Sequence, residues 1–186
     1  MPVCRQIHKV PYMSEERKDN RYANRILFMI LFAGIIPLLI IYMTYMFNPD
    51  AYFIRAVYEN TKNIPSVISS FNPVMSKVMD IYGKSAPILA FVTFILMFRY
   101  RKAEKITNRE KLITACIFTP FIYVFYVYFV LWHNFELTTA GRPARFMSEN
   151  NFSLLIIYIC LYYVSFLLTY LMGYYPVLVY KLWKER

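Results

Sequence analysis

Residues 26–47 read ILFMILFAGIIPLLIIYMTYMF and contain no charged side chain. An α-helix rises about 1.5 Å per residue, so a helix of about 20 residues crosses the roughly 30 Å hydrocarbon core of a bilayer. That core holds no water to satisfy backbone N–H and C=O groups, and an α-helix pairs these groups within the segment. The run therefore predicts a membrane-spanning helix.

Three further apolar runs follow the first one. Polar segments separate them, and they lie at about 78–98, 112–132 and 152–175. The chain as a whole is 59% hydrophobic, which is above the roughly 45–50% of ordinary globular proteins. A water-soluble domain of this size has too little interior to hide that much apolar surface. We therefore predict an all-α membrane protein, a bundle of four transmembrane helices.

The second run spans a membrane only if its helix begins early. Its apolar part, SAPILAFVTFILMF at residues 85–98, is too short to cross by itself. We therefore extend the predicted helix back to about Val78. This extension places Asp80 and Lys84 four residues apart on one helix face, where the two charges can pair.

Basic residues are distributed unevenly over the segments outside the runs. Residues 1–25, 99–111 and 176–186 carry fifteen Lys and Arg, against six on the opposite side. Segments rich in Lys and Arg stay in the cytoplasm. We therefore expect both termini and residues 99–111 to be cytoplasmic, and residues 48–77 and 133–151 to form two periplasmic loops.

The net charge of +10 raises the question of a nucleic-acid partner. Most of the excess charge lies next to the membrane, where it meets anionic headgroups. No nucleic-acid-binding module accompanies it. We expect the lipid bilayer, and no nucleic acid, to be the partner of these charges.

Few side chains are suited to catalysis. The centres of the predicted helices carry no charged residue, and no cysteine pair has the spacing of metal ligands. His133 and Glu136 lie three residues apart at the end of the third run, and they are the candidate acid–base pair. We predict that the chain is not an enzyme and has no catalytic residue, metal or cofactor. An outward-facing membrane enzyme that uses these two residues is one alternative.

Small and polar side chains recur at helical spacing in three runs. They are Ala86, Ala90 and Thr93 in the second run, Thr119, Tyr123, Tyr126 and His133 in the third, and Tyr158, Tyr162, Ser165 and Thr169 in the fourth. Two interpretations are open. These faces pack against each other inside the bundle, or one of them is left for a foreign helix.

The second periplasmic loop also contains local structural signals. Gly141 and Pro143 predict a turn, and Asn150 is predicted to cap the fourth helix. Apolar and charged residues alternate in the same loop. Amphipathic loop residues of this kind either lie against lipid headgroups or contact a partner.

Two stretches of the chain resemble a known family. They are NIPSVISSFNPVMSKVMDIYGKSAPILAF at residues 63–91 and HNFELTTAGRPARFM at residues 133–147. Both resemble the immunity proteins of the A-type pore-forming colicins. The similarity extends from about Arg21 to the C-terminus, whereas residues 1–20 do not match the family pattern.

This resemblance implies a location, a function and a partner. Such proteins lie in the inner membrane of the colicin-producing bacterium, with four helices and both termini inside. They protect that cell by preventing the channel domain of the toxin from opening. We expect the chain to bind the hydrophobic helical hairpin of that domain. A small membrane transporter or channel subunit is the alternative function.

We place the expected toxin contacts in both periplasmic loops and in two helices. Loops carry recognition more often than cores do, and polar faces of helices bind other helices in lipid. The candidate residues are Asn72, Pro73, Lys77, Asp80 and Lys84 around the first loop, Phe135, Glu136, Thr138, Thr139, Gly141, Arg142 and Pro143 in the second loop, and Tyr162, Ser165 and Thr169 in the fourth helix.

Overall fold

A computed structural model describes residues 10–98 and 109–184. The remaining residues include Arg5, Lys9 and most of the expected cytoplasmic loop 99–111, and these predictions lie outside the described residues. The elements in chain order are α1 (Val10–Ala33), α2 (Ile36–Phe47), α3 (Tyr52–Asn60), β1 (Val67–Ile68), α4 (Pro73–Gly83), α5 (Ala86–Phe98), α6 (Arg109–Tyr126), a π-helix (Val127–Trp132), β2 (Phe135–Glu136), α7 (Arg142–Glu149) and α8 (Asn151–Lys184).

Within residues 10–98 and 109–184, four helical segments are long and apolar enough to cross a membrane. They are Arg21–Phe47, Pro73–Phe98, Leu112–Trp132 and Asn151–Tyr180. Each contains one of the four apolar runs of the sequence. The second segment begins at Pro73, five residues before the expected start at Val78, because Pro73 is well suited to the first turn of a helix.

Two of these segments are interrupted by proline. The run 26–47, expected as one helix, is divided between α1 and α2, and the run 78–98 is divided between α4 and α5. A proline ring clashes with the carbonyl four residues earlier and removes one backbone donor. Counting four residues back from Pro37 and from Pro87 gives Ala33 and Gly83, where α1 and α4 end. Hydrophobicity therefore located the four apolar segments, but it did not predict the interruptions within two of them.

The two interruptions meet inside the protein. The Tyr82 hydroxyl donates a hydrogen bond of 2.7 Å to the carbonyl oxygen of Gly34, at the end of α1. The Tyr82 ring stacks on the Tyr162 ring of α8, with 5.7 Å between centroids. A side chain at Gly34 would overlap the Tyr162 ring, so glycine allows this close approach. The interruptions thus form one junction between α1, α4 and α8.

The long helix α8 occupies the centre of the fold. Its buried side chains repeat every four residues at Tyr158, Tyr162, Phe166 and Tyr170, which is one face of a helix. The small face of α5 packs on α8, and its Ala86, Ala90 and Thr93 are buried, as the sequence pattern predicted. Helix α6 packs on another side of α8.

The segments between the spans contain regular structure. Residues 48–77 and 133–151 were expected as loops, but the first contains α3 and β1 and the second contains β2 and α7. Strands β1 and β2 pair in parallel, with Val67 opposite Phe135 and Ile68 opposite Glu136. We call residues 48–72 and 133–150 together the cap, because this pairing joins the two segments into one layer.

Candidate functional site

Backbone hydrogen bonds hold the two halves of the cap together. The N–H groups of Phe135 and Leu137 donate to the carbonyl oxygens of Ser66 and Ile68, at 3.1 and 2.9 Å. The Ser66 N–H donates to the Asn134 side-chain oxygen at 2.9 Å. The cap therefore has a defined register, set by pairing between segments almost 70 positions apart.

Side chains add a second set of bonds nearer to α8. The Ser69 hydroxyl donates to the Ser148 carbonyl oxygen at 3.1 Å. The Asn72 amide donates to the Asn151 side-chain oxygen at 2.6 Å, at the start of α8. Asn72 is thus half-buried and bonded to the bundle, which gives this predicted contact residue a structural role.

Three charged residues lie beneath the cap, two in α4 and one directly after it, and all three belong to the predicted contact set. Lys77 donates to the Ile64 carbonyl and, at 2.5 Å, to the Ser66 hydroxyl. Lys84 donates to the carbonyl of Pro65. Asp80 forms the predicted ion pair with Lys84, at 3.0 Å.

This charge cluster is largely shielded from solvent, since Lys77 and Asp80 are buried. A buried charge is costly unless it is paired and hydrogen-bonded. Here the Lys84 ammonium is paired with Asp80 and donates to the Pro65 carbonyl, and the Lys77 ammonium donates to the Ile64 carbonyl and the Ser66 hydroxyl. On β1, which follows these residues, the Tyr158 hydroxyl donates to the Val67 carbonyl at 2.8 Å. The cluster therefore fixes β1 onto α4 and α8.

The candidate acid–base residues have separate surroundings. Glu136 accepts hydrogen bonds from the Ser70 hydroxyl and, at 2.6 Å, from the Thr138 hydroxyl. The His133 ring stacks on the Tyr128 ring, with centroids 6.0 Å apart. The contacts of Glu136 and His133 are therefore suited to holding the cap, and each residue is engaged by a different neighbour.

Most of the predicted contact residues that are exposed lie in the second half of the cap, residues 133–150. Gly141 has a φ of 116°, a left-handed conformation that favours glycine, and it precedes the first turn of α7. Arg142 and Pro143 begin α7 and are exposed, as are Phe135 and Thr139. These five residues lie on the surface of the cap and are accessible to another molecule.

The residue between α7 and α8 caps the start of α8. The Asn150 side chain accepts the N–H of Phe152 at 2.9 Å, which confirms Asn150 as the cap of α8. On α7 itself, Phe146 is 77% exposed. Pro73, at the start of α4, is also exposed and lies beside Asn72.

The predicted residues of the fourth helix face other parts of this chain. Tyr162 is fully buried against Tyr82. Ser165 accepts a 2.5 Å hydrogen bond from the Tyr126 hydroxyl of α6, and the Thr169 hydroxyl lies 3.5 Å from that of Tyr123. Of the two interpretations of the polar faces, packing inside the bundle is therefore confirmed for these residues.

The sequence did not identify the residues whose hydrogen bonds join the two halves of the cap. Ser66, Ser69, Asn134 and Ser148 make the bonds that join the two halves. Two-residue strands produce no alternating pattern long enough to recognise, and parallel pairing over this separation has no local signal. Among residues 10–98 and 109–184, no group of three His, Cys, Asp or Glu side chains could hold a metal ion.

Comparison with known proteins places the chain in a family. Residues 50–186 match the family of colicin immunity proteins. The chain is 46% identical over 168 residues to the colicin-A immunity protein of Citrobacter freundii, covering 90% of this chain and 94% of the relative. It is 32% identical over 174 residues to the colicin-B immunity protein of Escherichia coli, covering 94% and 99%. No solved structure matches the chain. Because the match covers most of its length, the chain belongs to the colicin immunity protein family.

Proposed function

We propose that this protein protects a colicin-producing bacterium by binding the pore-forming domain of a colicin in the inner membrane and preventing channel opening. Membership of the colicin immunity family carries the proposal. The four helices that are long and apolar enough to cross a membrane support it, since a pore-forming toxin acts within the bilayer. The protein acts by binding and performs no chemical reaction.

The proposed topology has four spans, with both termini in the cytoplasm. The excess of basic residues outside the cap supports this orientation. Joining of residues 48–72 and 133–150 by backbone hydrogen bonds gives further support, because hydrogen-bonded segments lie on the same side of a membrane. The cap would then face the periplasm, the side from which a colicin arrives.

Thermodynamics defines what such an inhibitor must do. Each elementary charge that moves across the membrane with the field gains about 2.3 kcal/mol per 100 mV, so a few gating charges favour the open channel strongly. The inhibitor must therefore bind the closed channel more tightly than the open one by a comparable free energy. Confinement of both proteins to one bilayer raises their effective concentration and assists binding.

The predicted contact residues are assigned two roles in this proposal. The exposed residues contact the toxin directly, and they are Pro73, Phe135, Thr139, Gly141, Arg142 and Pro143. The buried or internally bonded residues position that surface and the helix faces that accept the toxin hairpin. This second group is Asn72, Lys77, Asp80, Lys84, Glu136, Thr138, Tyr162, Ser165 and Thr169.

A small transporter or channel subunit is the second candidate function. Two interrupted helices meet at the junction of Gly34 and Tyr82, and interrupted helices form substrate sites in many transporters. At this junction, however, the Gly34 carbonyl accepts a hydrogen bond from Tyr82, so an internal partner satisfies it. Purified protein in liposomes distinguishes the two functions, because a transporter moves ions or solutes without toxin.

A killing assay tests the proposed function. A sensitive strain that expresses the chain is challenged with a panel of pore-forming colicins, including colicins A and B, and with nuclease colicins as controls. We expect survival with at least one pore-forming colicin and normal killing by the nucleases. Death of the expressing cells with every pore-forming colicin would refute the proposal.

A further inference from the structure

A pocket of about 550 Å³ lies where the cap meets the membrane-spanning helices. Its lining combines apolar side chains with amides and one carboxylate, and it includes residues from both halves of the cap and from two spans. The residues that matter here are Tyr42 and Met46 of α2, Asn72 of the first cap segment, Phe146 and Glu149 of α7, and Asn151 of α8.

Glu149 differs from the other acidic residues of this part of the chain. Residues 48–98 and 133–151 contain five acidic side chains. Four of them have close partners, namely Asp50 with Arg55, Glu59 with Lys62, Asp80 with Lys84, and Glu136 with Ser70 and Thr138. Glu149 forms an ion pair with Arg145 Nε at 3.7 Å, which is longer than the other three ion pairs and beyond hydrogen-bond distance.

The three asparagines of the pocket are already engaged. Asn72 donates to Asn151, and the Asn151 amide in turn lies 3.5 Å from the sulfur of Met46. The Asn150 side chain caps α8. These contacts fix the pocket wall, and within the described part of the chain Glu149 accepts no hydrogen bond from it. The carboxylate is therefore available to an incoming donor.

We infer that Glu149 binds a basic side chain of the colicin channel domain, which enters this pocket when the toxin docks; this inference rests on the proposed function. Because the only ion pair of Glu149 among the described residues is the 3.7 Å contact with Arg145, the carboxylate can exchange that partner for a cation that donates a shorter, charge-assisted hydrogen bond. Phe146 and Met46 provide apolar surface beside it, which suits the aliphatic stem of a lysine or arginine. The pocket adjoins the ends of α2 and α8, so a helix inserted alongside them can reach it.

Substitutions at Glu149 and Arg145 test the inference with opposite expectations. The probe is a pore-forming colicin that the unmodified chain neutralises in the panel above. E149Q keeps the shape and removes the charge, and we expect it to reduce the colicin concentration that cells survive by about ten- to a hundredfold, the value of a charge-assisted hydrogen bond. R145Q removes the competing cation, and we expect protection to stay equal or to increase.

Two controls accompany these variants. E59Q removes a different exposed carboxylate, in α3, and should protect as well as the unmodified chain. E149D keeps the charge and should retain most of the protection. The amount of each variant in the membrane is measured by immunoblot, and protection is compared at equal amounts, which separates weak binding from poor folding.

Each other result overturns the inference. Full protection by E149Q shows that the toxin does not use this carboxylate. Equal losses in E149Q and R145Q show that the pair only holds α7 in place. If phosphatidylethanolamine co-purifies with the unmodified protein but not with E149Q, and protection is unchanged, the pocket binds a lipid headgroup. An unmodified chain that protects against no pore-forming colicin refutes the proposed function itself, which is a separate outcome.

Discussion

Helices α4 and α6 both pack on α8, but they are attached to it in different ways. On the α4 side, Met75 and Met79 are fully buried and the Tyr82 ring stacks on Tyr162. On the α6 side, the contact includes the bond between Tyr126 and Ser165, while most apolar side chains of α6 are exposed. Lipid tails are as apolar as leucine, so burial alone drives little helix association in a membrane. The α4 side therefore belongs to the hydrophobic core, whereas α6 packs closely on α8 outside that core, with polar contacts at Tyr126 and Tyr123.

The largest expected effect comes from the buried charges on the α4 side. Asp80→Ala leaves the Lys84 ammonium without its carboxylate, and removal of one partner of a buried pair costs about 3–5 kcal/mol. The free energy of unfolding, measured in mixed detergent, should fall by this amount. Asp50→Ala, which breaks an exposed pair with Arg55, is the control and should cost at most about 1 kcal/mol.

The next largest effect tests the junction of the interrupted helices. A methyl group at Gly34 would overlap the Tyr162 ring, so Gly34→Ala should destabilise the protein by about 3 kcal/mol through overpacking. Gly83 marks the other interruption, and a methyl group there meets no atom within 4 Å. Gly83→Ala is therefore the matched control. Equal stability of the two variants would contradict the close packing of α1 on α8.

A smaller effect is expected on the α6 side. Tyr126→Phe removes the hydrogen bond to Ser165 and should cost about 0.6–1.7 kcal/mol, the range of interhelical hydrogen bonds in membranes. A double-mutant cycle with Ser165→Ala isolates the pair, because the second substitution should add little after the first. Additive losses in the two single variants would show that α6 is attached in another way.

The smallest effect is expected at Thr169. Its hydroxyl lies 3.5 Å from that of Tyr123 and also donates to the Ser165 carbonyl of its own helix. Thr169→Val keeps the shape and should change the free energy of unfolding by less than about 0.6 kcal/mol, the average for such bonds. A loss as large as that of Gly34→Ala would remove the contrast between the two sides of α8.

The sequence predicted those features that depend on a single helix and its neighbouring residues. Long apolar runs identified the four segments because the length of a span follows from bilayer thickness. Spacing of four residues identified the pair of Asp80 and Lys84, and an asparagine before an apolar run identified the cap of α8. These properties depend on neighbouring residues, so they can be read locally.

The arrangement of the candidate site was not predictable in the same way. Their charge made Lys77 and Glu136 candidate contact residues. The sequence did not show that Lys77 bonds to Ile64 and Ser66, or that Glu136 bonds to Ser70 and Thr138. The joining of β1 to β2 depends on three-dimensional packing of distant segments. Sequence reasoning therefore located the cap and named several of its residues, without distinguishing the accessible from the engaged ones.

The parallel pairing of β1 with β2 has a consequence for synthesis of the protein. A ribosome completes Val67 long before it adds Phe135, the residue opposite it in the pair. Through that interval the first half of the cap has no partner, and its bond to Ser148 must wait for still later residues. A freshly started chain therefore cannot display the finished surface, which forms only after synthesis has passed Ser148.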